Sequence, residues 1–343
     1  MKIENFYGKY SSGSTLKEMD ENFFSKKNIA RVSKLIKKNL KKMSITNNDL
    51  KNKIIMNVGS GRETLGLIKF KPKKIFHYDI SHSNIKRFKK YIKINNLNKV
   101  IISQRFDLSK NNLPRKKFDF IYLHGIIQHV DHVDKAIKNL ILSMKLNGKM
   151  WFYFYRPGSI NVFLGSLQRK LLKKIRMKKF LKFLENRFEK NFIDGIMDDC
   201  YVPNRQLFYP VVYNKNFKQN FLINFGNTFL KNYSHKVDFL NYHESVVFFL
   251  KKKKDIAKIS INGLNKSKQE NVLKKILYKN KKYFDIFNLM NVEKKIKNDT
   301  DRFNFIIKLE LAKNKITNIF FKKNKLTQKE LLKITKNIDI ITN

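Results

Sequence analysis

The sequence predicts an α/β protein built on a mostly parallel sheet with helices on both faces. Three observations carry this prediction. Short apolar runs recur between residues 53 and 155, polar stretches with helical periodicity separate them, and a two-glycine turn follows the first run. Strands separated by helix-length spans need crossover connections, and crossovers join parallel strands.

The strand candidates are Ile54 to Val58, Lys74 to Asp79, Val100 to Ile102, Phe118 to Leu123 and Lys149 to Phe154. Before them, Thr15-Leu16-Lys17-Glu18 has capping-box spacing. A helix is expected from about Lys27 to Met43, where Ile29, Val32, Ile36, Leu40 and Met43 fall on one packing face. Val133, Ile137, Leu140, Ile141 and Met144 make a second stripe, with Asp131 expected to cap that helix and Gly148 to end it.

Beyond residue 155 the alternation stops. Arg156-Pro157-Gly158 breaks the strand, and a basic stretch from Gln168 to Phe192 follows. Its residues 168–184 read as one helix, whose apolar side packs on the sheet or lies on an anionic membrane surface. Asp194, Asp198, Asp199 and Tyr201 form a polar cluster that either meets a substrate or is solvated loop. Strand rhythm resumes near Thr228-Phe229-Leu230 and from His243 to Leu250. Lys251 to Lys254 marks a boundary, and the rest is Lys-rich and helical, with capping-box spacings at Ser267…Glu270 and Thr327…Glu330. The expected organisation is an N-terminal helical segment (1–50), a domain over 51–250 with an insertion at about 156–215, and an extension over 251–343.

Composition bounds the function. No apolar run approaches the ~20 residues that span a bilayer. The lone cysteine, Cys200, makes no internal disulfide, which fits a reduced, cytoplasmic protein. The net charge of +47 suggests a polyanionic partner, but 63 of the 74 cationic residues are Lys and only 11 are Arg, as AT-rich codons would produce. The excess is also spread, about +31 over 1–250 and +16 over 251–343.

Asn57-Val58-Gly59-Ser60-Gly61-Arg62-Glu63-Thr64 carries the chemistry. Its glycines permit a tight strand-to-helix turn and let a ligand touch the backbone. A dinucleotide fingerprint needs a third glycine where Thr64 stands, which disfavours NAD and FAD, and the Gly-Lys-Ser/Thr ending of a P-loop is absent. Asp79, at the end of the second strand, is placed to accept both hydroxyls of a ribose. Asp107, in Phe106-Asp107-Leu108, could accept from an adenine amino group. Each acid alone also reads as a plain turn residue.

Over about residues 50–250 the chain resembles the class I S-adenosylmethionine-dependent methyltransferase family. The resemblance rests on four ordered stretches: Asn57 to Gly61, Tyr78-Asp79-Ile80-Ser81, Phe106-Asp107-Leu108, and Phe118 through His129. It implies a Rossmann-like, seven-stranded, mostly parallel sheet whose last strand is antiparallel, and residues 156–215 fall where the family often builds a substrate lid. The N-terminal helices and the helical C-terminal extension read from the sequence flank this domain. It implies S-adenosyl-L-methionine as cofactor. Gly59, Ser60 and Gly61 would lie under its methionine part, Asp79 and Ile80 would hold the ribose, Asp107 and Leu108 the adenine, and Leu123 and His124 would lie near the sulfonium. The family usually has an acid where this chain has Asn57, and often a glycine where it has Glu63, so Glu63 is a candidate to supply the missing charge.

Methyl transfer needs no enzyme nucleophile, only alignment and exclusion of water. His129 and His124 are the candidate bases for an acceptor that must lose a proton. His129-Val130-Asp131-His132 lacks further converging ligands, so no metal is expected. The Asn/Asp-Pro-Pro-aromatic loop of nitrogen methyltransferases is absent, since Leu123-His124-Gly125-Ile126 stands there. The expected activity is methylation of an oxygen, carbon or sulfur atom of a small molecule. An RNA methyltransferase and a non-catalytic S-adenosylmethionine-binding module are the alternatives.

Overall fold

In the computed structural model, the structure describes residues 24–41, 43–155, 160–202, 221–225, 245–254, 296–323 and 326–335. The spacings at Thr15…Glu18 and Ser267…Glu270, the Arg156-Pro157-Gly158 break and the run at Thr228 lie outside these residues.

The strands are β1 (Ile54–Val58), β2 (Lys74–Asp79), β3 (Ile101–Arg105), β4 (Phe118–His124), β5 (Met144–Tyr155), β6 (Phe221–Phe225) and β7 (Ser245–Lys252). Their order across the sheet is β3-β2-β1-β4-β5-β7-β6. Pairing is parallel from β3 through β5, and β6 pairs antiparallel with β7. This is the mostly parallel α/β sheet the apolar runs predict. The order reverses between β1 and β4, so a crevice opens at the carboxyl ends of neighbouring strands. Register brings those ends together, with Val58 beside Tyr78 on one side and Leu123 on the other.

Contacts divide the chain into two compact units. One comprises Met1–Phe154, Pro203–Lys231 and Val246–Leu264, and the other Tyr155–Val202, Asn232–Ser245 and Asn265–Asn343. In the first, α1 (Lys26–Lys41) buries Val32, Ile36 and Leu40, the middle of the expected stripe. It packs against α2 (Arg62–Ile68) at Gly66, where an added Cβ would come within 2.9 Å of Ile36 and 3.1 Å of Val32. Helix α3 (His82–Ile94) is capped by the Ser81 hydroxyl, which accepts from the Asn84 N–H.

Helix α4 (Val133–Ser143) departs from expectation at both ends. His132, not Asp131, occupies its N-cap, with no side-chain cap bond. Gly148 does not end it, because β5 already begins at Met144. Phe118 pairs with Met144, an irregularity follows, and Phe120 pairs with Lys149, so Gly148 lies inside the strand.

The second unit is helical: α5 (Ile160–Leu172), α6 (Met177–Glu185), α7 (Lys190–Tyr201), α8 (Asp299–Lys323) and α9 (Gln328–Thr335). Residues 168–184 are therefore not one helix. The chain leaves α5 at Leu172, and the Ile175 N–H donates to the Leu172 carbonyl in the turn before α6. Their apolar side packs among the other helices of this unit. Phe180 and Leu184 enter a core with Ile196, Phe303, Ile306 and Leu331. Thr327 and Glu330 form the expected reciprocal cap, with the Glu330 carboxylate accepting from the Thr327 N–H (2.9 Å) and the Thr327 hydroxyl from the Glu330 N–H (3.2 Å). A polar set links α5, α7 and α8. Buried Lys313 donates to Glu310 (2.8 Å), to Gln168 (3.2 Å) and to Asp199. No described helix is long and apolar enough to cross a membrane.

Candidate active site

The Gly59-Ser60-Gly61 turn carries the chain from β1 into α2. Gly59 has φ +131° and Gly61 φ +96°, the left-handed region that glycine tolerates and other residues resist. A Cβ at Gly61 would lie 2.8 Å from the Phe88 ring, and one at Gly59 would lie 3.3 Å from Ile126, from the loop after β4. The turn is held from below, because the Gly59 N–H donates to the Tyr78 carbonyl (2.9 Å).

The sequence reading missed a residue here. His77, wholly buried in β2, places Nε2 2.6 Å from the Gly59 carbonyl and Nδ1 2.9 Å from the Ser103 hydroxyl. A carbonyl only accepts, so Nε2 carries the proton and Nδ1 accepts from Ser103. Burial lowers the pKa of the imidazole to about 4, which keeps it neutral. Its ring meets the Phe88 ring edge-on at 4.4 Å, so His77 and Phe88 together support both glycines. The only sequence signal was a polar residue at a core position of the second apolar run.

Asn57 does not spend its amide on the crevice. Its Nδ2 donates to the Tyr122 carbonyl (2.9 Å), and its Oδ1 accepts from the Thr64 hydroxyl (2.7 Å). It ties β1, β4 and α2 together inside the core. Glu63, the candidate replacement charge, lies one turn along. Burial raises its pKa, but the Arg62 guanidinium at 3.1 Å and nearby His124 outweigh burial, so the carboxyl stays below its ordinary range.

Asp79 is buried at the end of β2. Its Oδ1 accepts from the Ser81 N–H (2.6 Å) and its Oδ2 from the Asn84 amide (3.2 Å). Burial raises its pKa to about 7, against these two bonds and the charge of Arg87. Ile80, half-buried, follows, and its carbonyl accepts from Arg105 (3.1 Å). The Asp79 carbonyl accepts from the Phe106 N–H (2.9 Å), which brings the third motif alongside. There Asp107 makes a turn, accepting from the Ser109 N–H (2.8 Å), and Leu108 is buried.

At the end of β4, Leu123 is buried and His124 is partly exposed, with Nδ1 3.9 Å from Glu63. Burial lowers the His124 pKa, so its imidazole is neutral near pH 7 and able to accept a proton. The ring stacks on Tyr153 (4.8 Å) and Trp151 (5.9 Å). His124 also lines a cavity of about 330 Å³. Four residues of α1 form one wall, Arg31, Val32, Leu35 and Ile36, and Arg62, Glu63 and Tyr122 complete it with His124. His129 is buried in a single turn (Ile127–His129) and is not on this wall. Among the described residues, no three or more His, Cys, Asp or Glu side chains are grouped to hold a metal.

Residues 56–152 match the family described as "Methyltransferase domain". No curated protein matches the chain by sequence. Several solved structures are similar. YcgJ from Bacillus subtilis is 9% identical (TM-score 0.43), with 65% of this chain and 99% of that one covered. An S-adenosylmethionine-dependent methyltransferase from Mesorhizobium loti is 13% identical (TM-score 0.40), with 60% and 93% covered. PKMT2 from Rickettsia typhi, in complex with AdoHcy, is 16% identical (TM-score 0.44), with 62% and 51% covered.

Proposed function

We propose that this chain is an S-adenosylmethionine-dependent methyltransferase that methylates an oxygen, carbon or sulfur atom of a small molecule, a reading supported by the match of residues 56–152 to a methyltransferase domain family. The observation that supports this reading most is Asp79. A carboxylate has about four acceptor sites. Two N–H donors to the Asp79 side chain leave room for two hydroxyls of a ribose.

The residues present fit the cofactor. Gly59, Ser60 and Gly61 would lie under its methionine part with Glu63 near its ammonium, and Asn57 contributes by fixing the turn. Asp79 and Ile80 would hold the ribose, Asp107 and Leu108 the adenine, and Leu123 and His124 the sulfonium end. Bound S-adenosylmethionine supplies a methyl group already activated by positive sulfur. The chain's own part is to hold the acceptor in line, keep water out, and take the acceptor's proton at His124. A cavity of about 330 Å³ favours a small acceptor. On this reading the protein works in the cytoplasm.

The charge of +47 favours RNA as the second reading. Isotope-labelled S-adenosylmethionine, incubated with the full chain and separately with a metabolite extract and with RNA, distinguishes the two. Label in a small molecule supports the proposal. Label in RNA, retained steeply less at higher salt, replaces it.

A further inference from the structure

We propose that the cavity between α1, α2 and the end of β4 is the acceptor site, and that it takes a small apolar acid, a compact hydrocarbon or aromatic body bearing one carboxylate. This inference rests on the methyltransferase reading and adds the chemical class of the substrate. It follows from charge, shape and position.

The charge count is specific. Arg62 and Glu63 pair at 3.1 Å and offset one another. Arg31 adds a further positive charge, and the interaction it makes with Asn28 (3.1 Å) uses one of a guanidinium's five N–H groups. The wall is therefore one positive charge in excess. A guanidinium fork matches a carboxylate with two parallel hydrogen bonds, so a monoanion satisfies it. An amine would face an uncompensated cation, and a neutral alcohol would leave Arg31 no better placed than in water.

The rest of the wall selects an apolar body. Val32 and Ile36 are buried, while Leu35 lines the same cavity and remains 49% exposed. A large aliphatic side chain left open at a cavity mouth gains by covering itself with a ligand. A volume of about 330 Å³ holds roughly ten heavy atoms at ~30 Å³ each. His124, also on the cavity lining, gives that body a proton acceptor and a ring stacked on Tyr153.

The molecule carries its own reporter. Trp151 is the single tryptophan. It stacks on Tyr122 at 4.4 Å with the planes 6° apart and lies 5.9 Å from His124, and both of those residues line the cavity. The test starts by measuring S-adenosylhomocysteine binding to the full chain by calorimetry. Octanoate is then titrated into the saturated protein while Trp151 emission is read, with octylamine and octan-1-ol as charge controls. We expect octanoate to change the emission, octylamine to have no effect, and Arg31→Ala to weaken octanoate by about tenfold or more. Arg31 is exposed, so the variant should fold, and its S-adenosylhomocysteine affinity should match the parent's. Arg31→Lys should recover part of the loss. Octanol binding as tightly as octanoate, or an unchanged Arg31→Ala variant, would overturn the acid assignment. Competition between octanoate and S-adenosylhomocysteine would overturn the acceptor assignment, because the cavity would then belong to the donor. Failure of S-adenosylhomocysteine itself to bind would strike the underlying reading instead.

Discussion

His77 donates from Nε2 to the carbonyl of Gly59 across 2.6 Å, so a neutral, wholly buried imidazole fixes the first glycine of the turn. Replacing it with Leu would leave that carbonyl without its partner, at about 1–3 kcal/mol of folding stability. The larger consequence is geometric. If the turn binds the donor as proposed, His77→Leu should raise the KM for S-adenosylmethionine by about tenfold while kcat at saturation stays near the parent value. His77→Asn, which keeps a side-chain N–H, should recover part of the affinity. Equal losses in kcat and KM for both variants would mean that His77 merely supports the core.

Asp79 predicts a pH dependence whose sign can be worked out. Burial raises its pKa to about 7, above the ordinary 3.8. The folded, unliganded protein thus binds this proton more tightly than the unfolded chain, and this contribution to stability is lost as pH rises from about 4 through 7. Ribose hydroxyls would donate to the ionised form, so ligand binding should release a proton. With about a tenth of Asp79 ionised at pH 6, S-adenosylhomocysteine should bind about tenfold more weakly there than at pH 8. Calorimetry in buffers of different ionisation enthalpy measures the proton released. Asp79→Asn should abolish both the pH slope and the release, and a slope that survives it would remove Asp79 from the site.

What could be read from sequence follows the range of the interactions. β1 and β2 were legible to the residue because each is one apolar run ended by a turn or an acid. The Thr327–Glu330 cap was legible because it closes within four residues. His77 was not, because its meaning depends on Ser103, a neighbour in space on β3 and 26 positions away in the chain. The partners of Asn57 were not legible either, because its amide bridges Tyr122 and Thr64, two residues that no local pattern reveals. The amphipathic run from Gln168 hid a break, because a helical stripe can continue through a turn that repacks both halves in one core.

His124 and His129 can be separated by substitution. His124 lines the cavity, is neutral because burial lowers its pKa, and stacks between aromatic rings. His124→Phe keeps the stacking surface but removes the proton acceptor. If the acceptor loses a proton, turnover at saturating S-adenosylmethionine should fall ~10²–10⁴-fold, well beyond any loss of S-adenosylhomocysteine affinity. With S-adenosylmethionine saturating at each pH, the parent's rate should hold flat from pH 8 down past the ordinary histidine midpoint of ~6.5. His129→Ala should instead lower the unfolding midpoint more than the rate. An unaltered rate in His124→Phe would point to an acceptor that reacts without losing a proton.

Lys313 predicts a stability effect confined to the helical unit. Its ammonium is shared by Glu310, Asp199 and Gln168 and is almost wholly buried. A buried pair adds little net stability over an apolar replacement, but removing one partner strands the other's charge in a poor solvent. Lys313→Met would leave two carboxylates facing each other with their shared cation gone, at about 3–5 kcal/mol. Urea unfolding monitored by circular dichroism should show that loss. The double variant Lys313→Met/Glu310→Gln should recover part of it, because one stranded charge is removed. Lys323→Met, which breaks the solvent-facing pair with Glu330, should barely move the midpoint. If Lys313→Met were as mild as Lys323→Met, the network would be ornamental and α8 would be held by its apolar contacts alone.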